Sequence, residues 1–472
     1  MPSSHHITSE EAGPSLQEKG TWPLALFCLH QRLASYFARP EPFHHALLYL
    51  QAVMSEIPRK NSWQIAEHGK QARPYGMQRL LSRAVWDDEG VRNEIRTLLV
   101  QTLSPPPVPP LGTHGDTREE ILFPFAVIVV DETGIPKRGT HSAGVKVQYC
   151  GSTGRVENCQ VGVVLTYVTA LGHALMDAAL YIPEEWCGDP DRRHIAHIPE
   201  QIHFQTKPEL AQGLLQRAIS ASLPIRWVVG DTVYGHSTDL RAFLHDQGLS
   251  FALAVPDNEV VCVDTVLGYR LGEVASIERL LPDGTLQWQR LSMSQGTKGE
   301  RLFDWAIVPQ VHRTIIDGCH FLVIRRCLDA PFQKAYYFVF APPQTSLQTM
   351  VLAIGARWCV EVDLENAKDL GLDHYEVRSC IGWYRHITLV LLASAFLLSI
   401  CVQDHQRTCQ SEEASCSLPL IALTTSEVRH LLARLFWPAP THASLIHQWS
   451  IFRREHQYWA RYYHCLRRLK AG

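Results

Sequence analysis

The sequence predicts an α/β protein, with a mixed β-sheet at its centre and helices before and after it. Three stretches carry that prediction. Phe125 to Gly134 reads FAVIVVDETG, an unbroken apolar run ending in an acidic pair and a turn glycine, the signature of a buried central strand. Ile225 to Gly230, IRWVVG, repeats the pattern and runs into Asp231. Between Trp22 and Leu103, and again beyond Ser346, apolar residues recur at helical spacing.

Composition narrows the class without naming a function. A chain of 472 residues is long enough for two or three domains and a sizeable core. The formal net charge is −3, so any contact with a polyanion depends on local basic patches. Thirteen cysteines without a CxxC, and no recognisable signal peptide, fit reduced thiols in a cytoplasm and predict no structural zinc. The longest apolar run, Ile387 to Val402, is short for a membrane span and suits a buried helix.

Taken in order, residues 1–20 are polar and read as a disordered start. Residues 21–103 form a helical domain carrying Arg59, Lys60, Arg73, Arg79, Arg83 and Arg92, which could grip a DNA backbone or simply be a solvated face. Residues 104–118, with five prolines, read as a stiff linker. The core begins at 119. After its first strand come the basic residues Lys137 and Arg138, then two strands flanking Leu171-Gly172 as a hairpin. Thr206-Lys-Pro-Glu209 is a capping box ahead of LAQGLLQRAIS, the Asp231 strand follows, then the helix TDLRAFLHDQG and the strand SFALAVP. This β-β-β-α-β-α-β succession is the order of a ribonuclease H-like domain. It is interrupted over 257–345 by short alternating strands, an inserted β subdomain, and resumes over 346–405. Residues 406–472 end in a basic, aromatic helical region, FRREHQYWARYYHCLRRLK, suited to phosphate contact and base stacking or to packing on the body.

Aspartates at two strand ends, with an acid on the helix beyond Ser346, could make one site. On that helix Arg357, Glu361 and Lys368 stand four and seven residues apart and share a face, although Arg357 with Glu361 is also an ordinary surface pair. Converging carboxylates would repel one another unless cations fill the site, and hard oxygen ligands select Mg²⁺ or Mn²⁺. Two such ions about 3.5–4 Å apart support in-line displacement at phosphorus. Asp131 would bridge them, Asp231 and Glu361 would each complete one, and Arg357 and Lys368 would hold phosphates.

These residues resemble the DDE transposases of bacterial insertion sequences, in the branch with a tyrosine, arginine, glutamate and lysine signature. Arg357, Glu361 and Lys368 have its spacing, and VVDETGIPKRGTHSAGV, GDTVYG, TKGERLFDWA and GLDHYEVRS look like blocks of the same group. Ile354 stands at the tyrosine position, and the segment between Lys368 and Gly371 is one residue short of the usual form. The resemblance implies catalytic and metal-binding roles for Asp131, Asp231 and Glu361. It also implies strand transfer on DNA, binding of terminal inverted repeats by the N-terminal helices, and an active homodimer that needs no nucleotide cofactor. Lys298 and Arg301 become candidates for backbone contact, and Trp288 and Trp305 for base stacking or, more simply, for the core. A DNA-binding relative that does not cut, and a stand-alone nuclease, are the alternatives.

Overall fold

The computed structural model describes residues 19–103, 125–265, 268–282, 284–296, 299–310, 318–330, 332–411, 422–438 and 442–471. The polar start and the proline-rich linker of the sequence reading therefore lie outside the described residues, apart from its last few positions at 19 and 20. Chain contacts divide the molecule into two compact units, 1–91 with 367–377 and 381–472, and 92–366 with 378–380.

The elements, in chain order, begin with five helices: α1 (Trp22–Arg32), α2 (Pro40–Val53), α3 (Ser62–His68), α4 (Tyr75–Ser82) and α5 (Asp88–Leu103). Strands β1 (Val127–Pro136), β2 (Lys146–Cys150), β3 (Arg155–Thr169) and β4 (Gly172–Leu180) follow, then α6 (Lys207–Ser220), β5 (Trp227–Gly230), α7 (Thr232–Gly235), α8 (Thr238–Asp246) and β6 (Ser250–Val255). Next come β7 (Val260–Thr265), β8 (Gly268–Glu273), β9 (Gln289–Gly296), β10 (Gly299–Pro309), β11 (His320–Arg326) and β12 (Lys334–Phe340). The chain closes with α9 (Leu347–Gly355), α10 (Trp358–Asp369), α11 (Cys380–Ser411), α12 (Thr425–Leu435) and α13 (Ala443–Ala471).

The larger unit is built on one mixed sheet, in the order β2-β3-β1-β5-β6-β12-β11-β10-β9, with β4 also paired to β3. β1 lies antiparallel to β3 and parallel to β5, and β5 lies parallel to β6. Val127–Val130 and Trp227–Gly230 are buried throughout, as unbroken apolar runs require of strands covered on both faces. Thr206 and Glu209 form the capping box of α6. One hairpin was not legible in the sequence: β2, whose side chains alternate in exposure as on an edge, and the first part of β3. The strands of the 257–345 segment do not make a sheet of their own. β12 joins β6 antiparallel and carries β11, β10 and β9 onto the central sheet, leaving only β7 and β8 as a separate pair.

The smaller unit is helical and brings both ends of the chain together. Its core is α11, whose apolar stretch is long enough to cross a membrane but is 94% buried within the protein. Tyr49 on α2 donates to or accepts from His386 on α11 at 2.7 Å, and Trp449 of α13 donates to the Gln71 carbonyl. The sequence reading put α11 with the catalytic core, whereas its contacts group it with the N-terminal helices. The Lys368 helix ends at Asp369, and Gly371 just beyond it has a φ of +88°, the left-handed residue that follows many helices.

Candidate active site

The site begins with a register. Val127–Val130 pair in parallel, one for one, with Trp227–Gly230, and the next residue on each strand is an aspartate. β5 ends there, because the chain turns into α7, while β3 holds β1 extended as far as Pro136. Asp131 therefore lies midway along its strand, not at its exposed tip as the sequence suggested. Asp231 occupies the end of β5 and caps α7, its Oδ1 accepting the Val233 amide at 2.9 Å. The turn that follows is tight: a Cβ on Gly235 would collide with the Ala254 carbonyl oxygen of β6, so only glycine fits.

A third carboxylate completes the group. Ligand oxygens of Asp131, Glu132 and Asp231 all lie within 4.8 Å of one another. Alternation along a strand sends neighbours such as Asp131 and Glu132 to opposite faces. β5 has ended by this row, and the longer Glu132 side chain reaches the open edge. Lys207, the first residue of α6, donates to Glu132 Oε1 at 2.6 Å, and the Tyr234 hydroxyl donates to Oε2 at 2.9 Å. Both Glu132 oxygens thus have partners, as do both of Asp131, whose Oδ1 accepts the Glu132 amide at 2.7 Å and whose Oδ2 faces Arg357. The sequence signal for Glu132 was the Asp-Glu doublet itself, together with the lysine inside the capping box.

Burial dominates the electrostatics. It pushes the Asp131 carboxyl up to about 6, against the opposing pull of the Arg357 guanidinium and the Glu132 amide, with Asp231 and Glu132 adding to the rise. Burial and then the Glu132 charge likewise hold Asp231 above the usual carboxylate range. Tyr234 is kept protonated by burial and by the Glu132 carboxylate it donates to. A group of hard oxygen donors that repel one another and are partly desolvated can bind a divalent cation.

Glu361 stands apart from this group. Asp131, Asp231 and Glu361 do not bring three oxygens within that same range; Arg357 lies between them, its Nη2 3.4 Å from Asp131 Oδ2 and its Nη1 3.8 Å from Glu361 Oε1. Arg357 is also not on the Glu361 helix. The chain breaks at Ala356-Arg357, between α9 and α10, just after Gly355, where a Cβ would collide with the Met293 carbonyl of β9, so the expected single helix is two. Val360, Leu364 and Ala367 are the buried face of α10, and Asp363, also buried, binds His173 of β4 at 2.8 Å. Burial works against charge on both partners, but Asp363 outweighs it on His173 and holds the imidazole well above its ordinary value. Lys368 follows Glu361 by two turns on α10.

The other predicted contacts divide. Arg301 on β10 lies 3.8 Å over the ring of Trp358, the first residue of α10, so it is tied to the Glu361 helix. Lys298 lies outside the described residues. Lys137 and Arg138 follow the end of β1, six and seven residues beyond Asp131, which at strand rise is about 20 Å along the chain. Trp305 is fully buried and Trp288 packs on the core of the inserted strands, so neither is free for stacking. Two of the proposed DNA-gripping residues are internal: Lys60 is buried and donates to the carbonyls of Ser55 and Ile57, and Arg92 is buried beside Asp177.

This geometry agrees with the comparisons. Residues 118–268 match the family described as DDE superfamily endonuclease, a span that holds Asp131, Glu132 and Asp231. Over those residues the chain resembles the DDE superfamily of endonucleases. The DDE segment lies in a chain that is 25% identical over 209 residues to a probable transposase for insertion sequence element IS701 from Microchaete diplosiphon. That match covers 44% of this chain and 47% of the relative, so the chain spans about half the length of the relative it matches. Among solved structures it is similar to a piggyBac transposase synaptic complex with hairpin DNA, at 11% identity and a TM-score of 0.42, over 93% of this chain and 87% of the other. A score that low carries no argument here.

Proposed function

We propose that the chain is a DNA transposase that binds the terminal inverted repeats of its own element, cuts the 3′ ends and joins them to target DNA. The observation that carries this reading is the parallel register that sets Asp131 beside Asp231. The strand order β4-β3-β1-β5-β6, with β3 reversed, supports a ribonuclease H-like core over 119–256 that resumes after the 257–345 insertion with the helices up to residue 366. On this reading residues 21–103 and 406–472 supply DNA contacts, and the active form is a cytoplasmic homodimer without a nucleotide cofactor.

Asp131 and Asp231 would hold Mg²⁺ or Mn²⁺, with Glu361 as the third ligand once Arg357 moves aside. When bound, two such ions supply activation of the attacking oxygen and stabilisation of the leaving one. Asp131 would hold the ion with a carboxylate that here faces Arg357, and Asp231 would do so while its Oδ1 accepts the Val233 amide, which fixes its direction. Glu132 positions the pair: held by Lys207 and Tyr234, it ties β1 to α6 and α7. Arg357 neutralises Asp131 and Glu361 without a metal and, released, offers its guanidinium to a phosphate.

The test uses the purified protein and labelled DNA carrying the inverted repeats that flank its gene, in Mg²⁺ and in Ca²⁺. A transposase binds in both, and nicks and then joins in Mg²⁺. Binding in both with cutting in neither identifies a non-catalytic binder, and cutting without joining a nuclease.

A further inference from the structure

The helical unit carries a second charged feature, unlike the rest of its surface. A cleft of about 660 Å³ opens between the start of α2 and the end of α4, lined by Arg39, Glu41, His45, Gly76, Arg79 and Arg83 among others. Its walls are fixed. Phe37 and Trp86 form an antiparallel bridge, their rings stack at 5.1 Å, and the Ala38 amide donates to the Val85 carbonyl. At its floor a Cβ on Gly76 would collide with the His45 imidazole, so that ring rests on the backbone of α4.

Charge distinguishes this cleft. Several basic residues elsewhere in the same unit are matched by acids: Arg59 by Glu376, Arg429 by Asp369, Arg434 by Glu56 and Arg453 by Glu67. Among the described residues no carboxylate pairs with Arg39, Arg79 or Arg83, and Glu41 is the single acid of the lining. Three guanidiniums against one carboxylate leave a net positive cleft. Arg79 and Arg83, one helical turn apart, stand about 6 Å from each other at their bases, which spaces them for two neighbouring anionic groups. Exposed cations held without a counter-charge cost the fold their mutual repulsion and are relieved by a polyanion.

We propose that this cleft binds the phosphate backbone of duplex DNA, with Arg39, Arg79 and Arg83 as the phosphate contacts. The inference rests on the reading of the chain as a protein that acts on DNA, and it locates one contact surface of that protein. Such contact is sequence-independent, so it is tested without knowing the element ends.

Anisotropy of a fluorescent 30-base-pair duplex of arbitrary sequence, titrated with the full chain between 50 and 200 mM salt, reads it directly. Each neutralised phosphate contributes about 0.9 to the slope of log K against log salt, so combined Arg39→Ala, Arg79→Ala and Arg83→Ala lower the slope by up to about 2.7. Arg83→Ala alone lowers it by about 0.9, which keeps the test open if the triple variant does not fold. A control combining Arg59→Ala, Arg429→Ala and Arg434→Ala, which removes the same charge from paired positions, changes the slope by less than the cleft variant. Equal slopes for wild type and cleft variants, or equal effects of cleft and control, overturn the cleft assignment and leave the DNA reading standing. Failure of the wild type to bind any duplex overturns both. If cleft variants lose binding to phosphatidylserine vesicles but not to duplex, the occupant proposed here is wrong.

Discussion

The acidic group at β1 and β5 and the basic cleft of α2 and α4 concentrate charge in opposite ways. The carboxylates are partly buried, set one beside another by strand register, and each has a named partner: Arg357 for Asp131, the Val233 amide for Asp231, Lys207 and Tyr234 for Glu132. The guanidiniums of Arg39, Arg79 and Arg83 sit on exposed helix ends without a paired acid. Burial makes position and protonation state matter at the first site. Exposure makes number of charges matter at the second, where screening by water and salt evens out small displacements.

The largest expected effect tests the buried side. Asp131→Asn or Asp231→Asn removes a charge worth several kcal/mol to a bound cation, and DNA cleavage in Mg²⁺ falls about 10³-fold or more while duplex affinity stays near wild type. Wild-type-like nicking by either variant would take that residue out of the site. Glu361→Gln separates two arrangements, since an equal loss means Glu361 joins the aspartates in the working state despite Arg357 standing between them here.

Stability against pH comes next. Folded Asp131 holds its proton up to about 6, whereas the unfolded carboxyl releases it near 3.8. Between those values the folded state binds more protons, so the Asp131 contribution to stability is greatest below about pH 4 and is lost as pH rises through 6, by roughly 3 kcal/mol at most. Urea midpoints in EDTA should show that fall in wild type, and the difference from Asp131→Asn should isolate it. Divalent cations should restore the midpoint more at pH 7.5 than at pH 5. A wild-type profile parallel to that of Asp131→Asn would remove the burial argument.

Smaller effects grade the support around Glu132. Lys207→Met leaves a carboxylate partly buried without its cation and should cost about 1–3 kcal/mol, and Tyr234→Phe, which removes one hydrogen bond, about 1 kcal/mol. Thermal unfolding gives the order, and a reversed order would mean the hydroxyl, not the ammonium, orients Glu132. The smallest effect belongs to the exposed side: Arg83→Ala should leave the melting temperature within error and change only the salt dependence of DNA binding.

How much of this was legible varied with the range of the interaction. Apolar runs leading to Asp131 and Asp231, the capping box at Thr206 and a hairpin turn near Leu171 are local signals, and the strands, helix and hairpin they announce are present, although β1 runs on past Asp131 to Pro136. The helix expected to run through Arg357 failed, because its break depends on Gly355 meeting a strand more than sixty residues earlier. Lys60 and Arg92 look like surface charge in any window of sequence, yet one is buried on carbonyl oxygens and the other beside Asp177.

The sequence by itself determined most of the strands and helices, and that two of those strands deliver an aspartate, since hydrophobic period and turn chemistry act over a few residues. Tertiary structure alone decided that β5 stops one residue short of the Asp131 row, that Glu132 therefore joins the aspartates, and that Arg357 stands between them and Glu361. Those outcomes depend on where a neighbouring strand ends and which side chain fills the gap, and pairing between segments a hundred or more residues apart leaves no local trace.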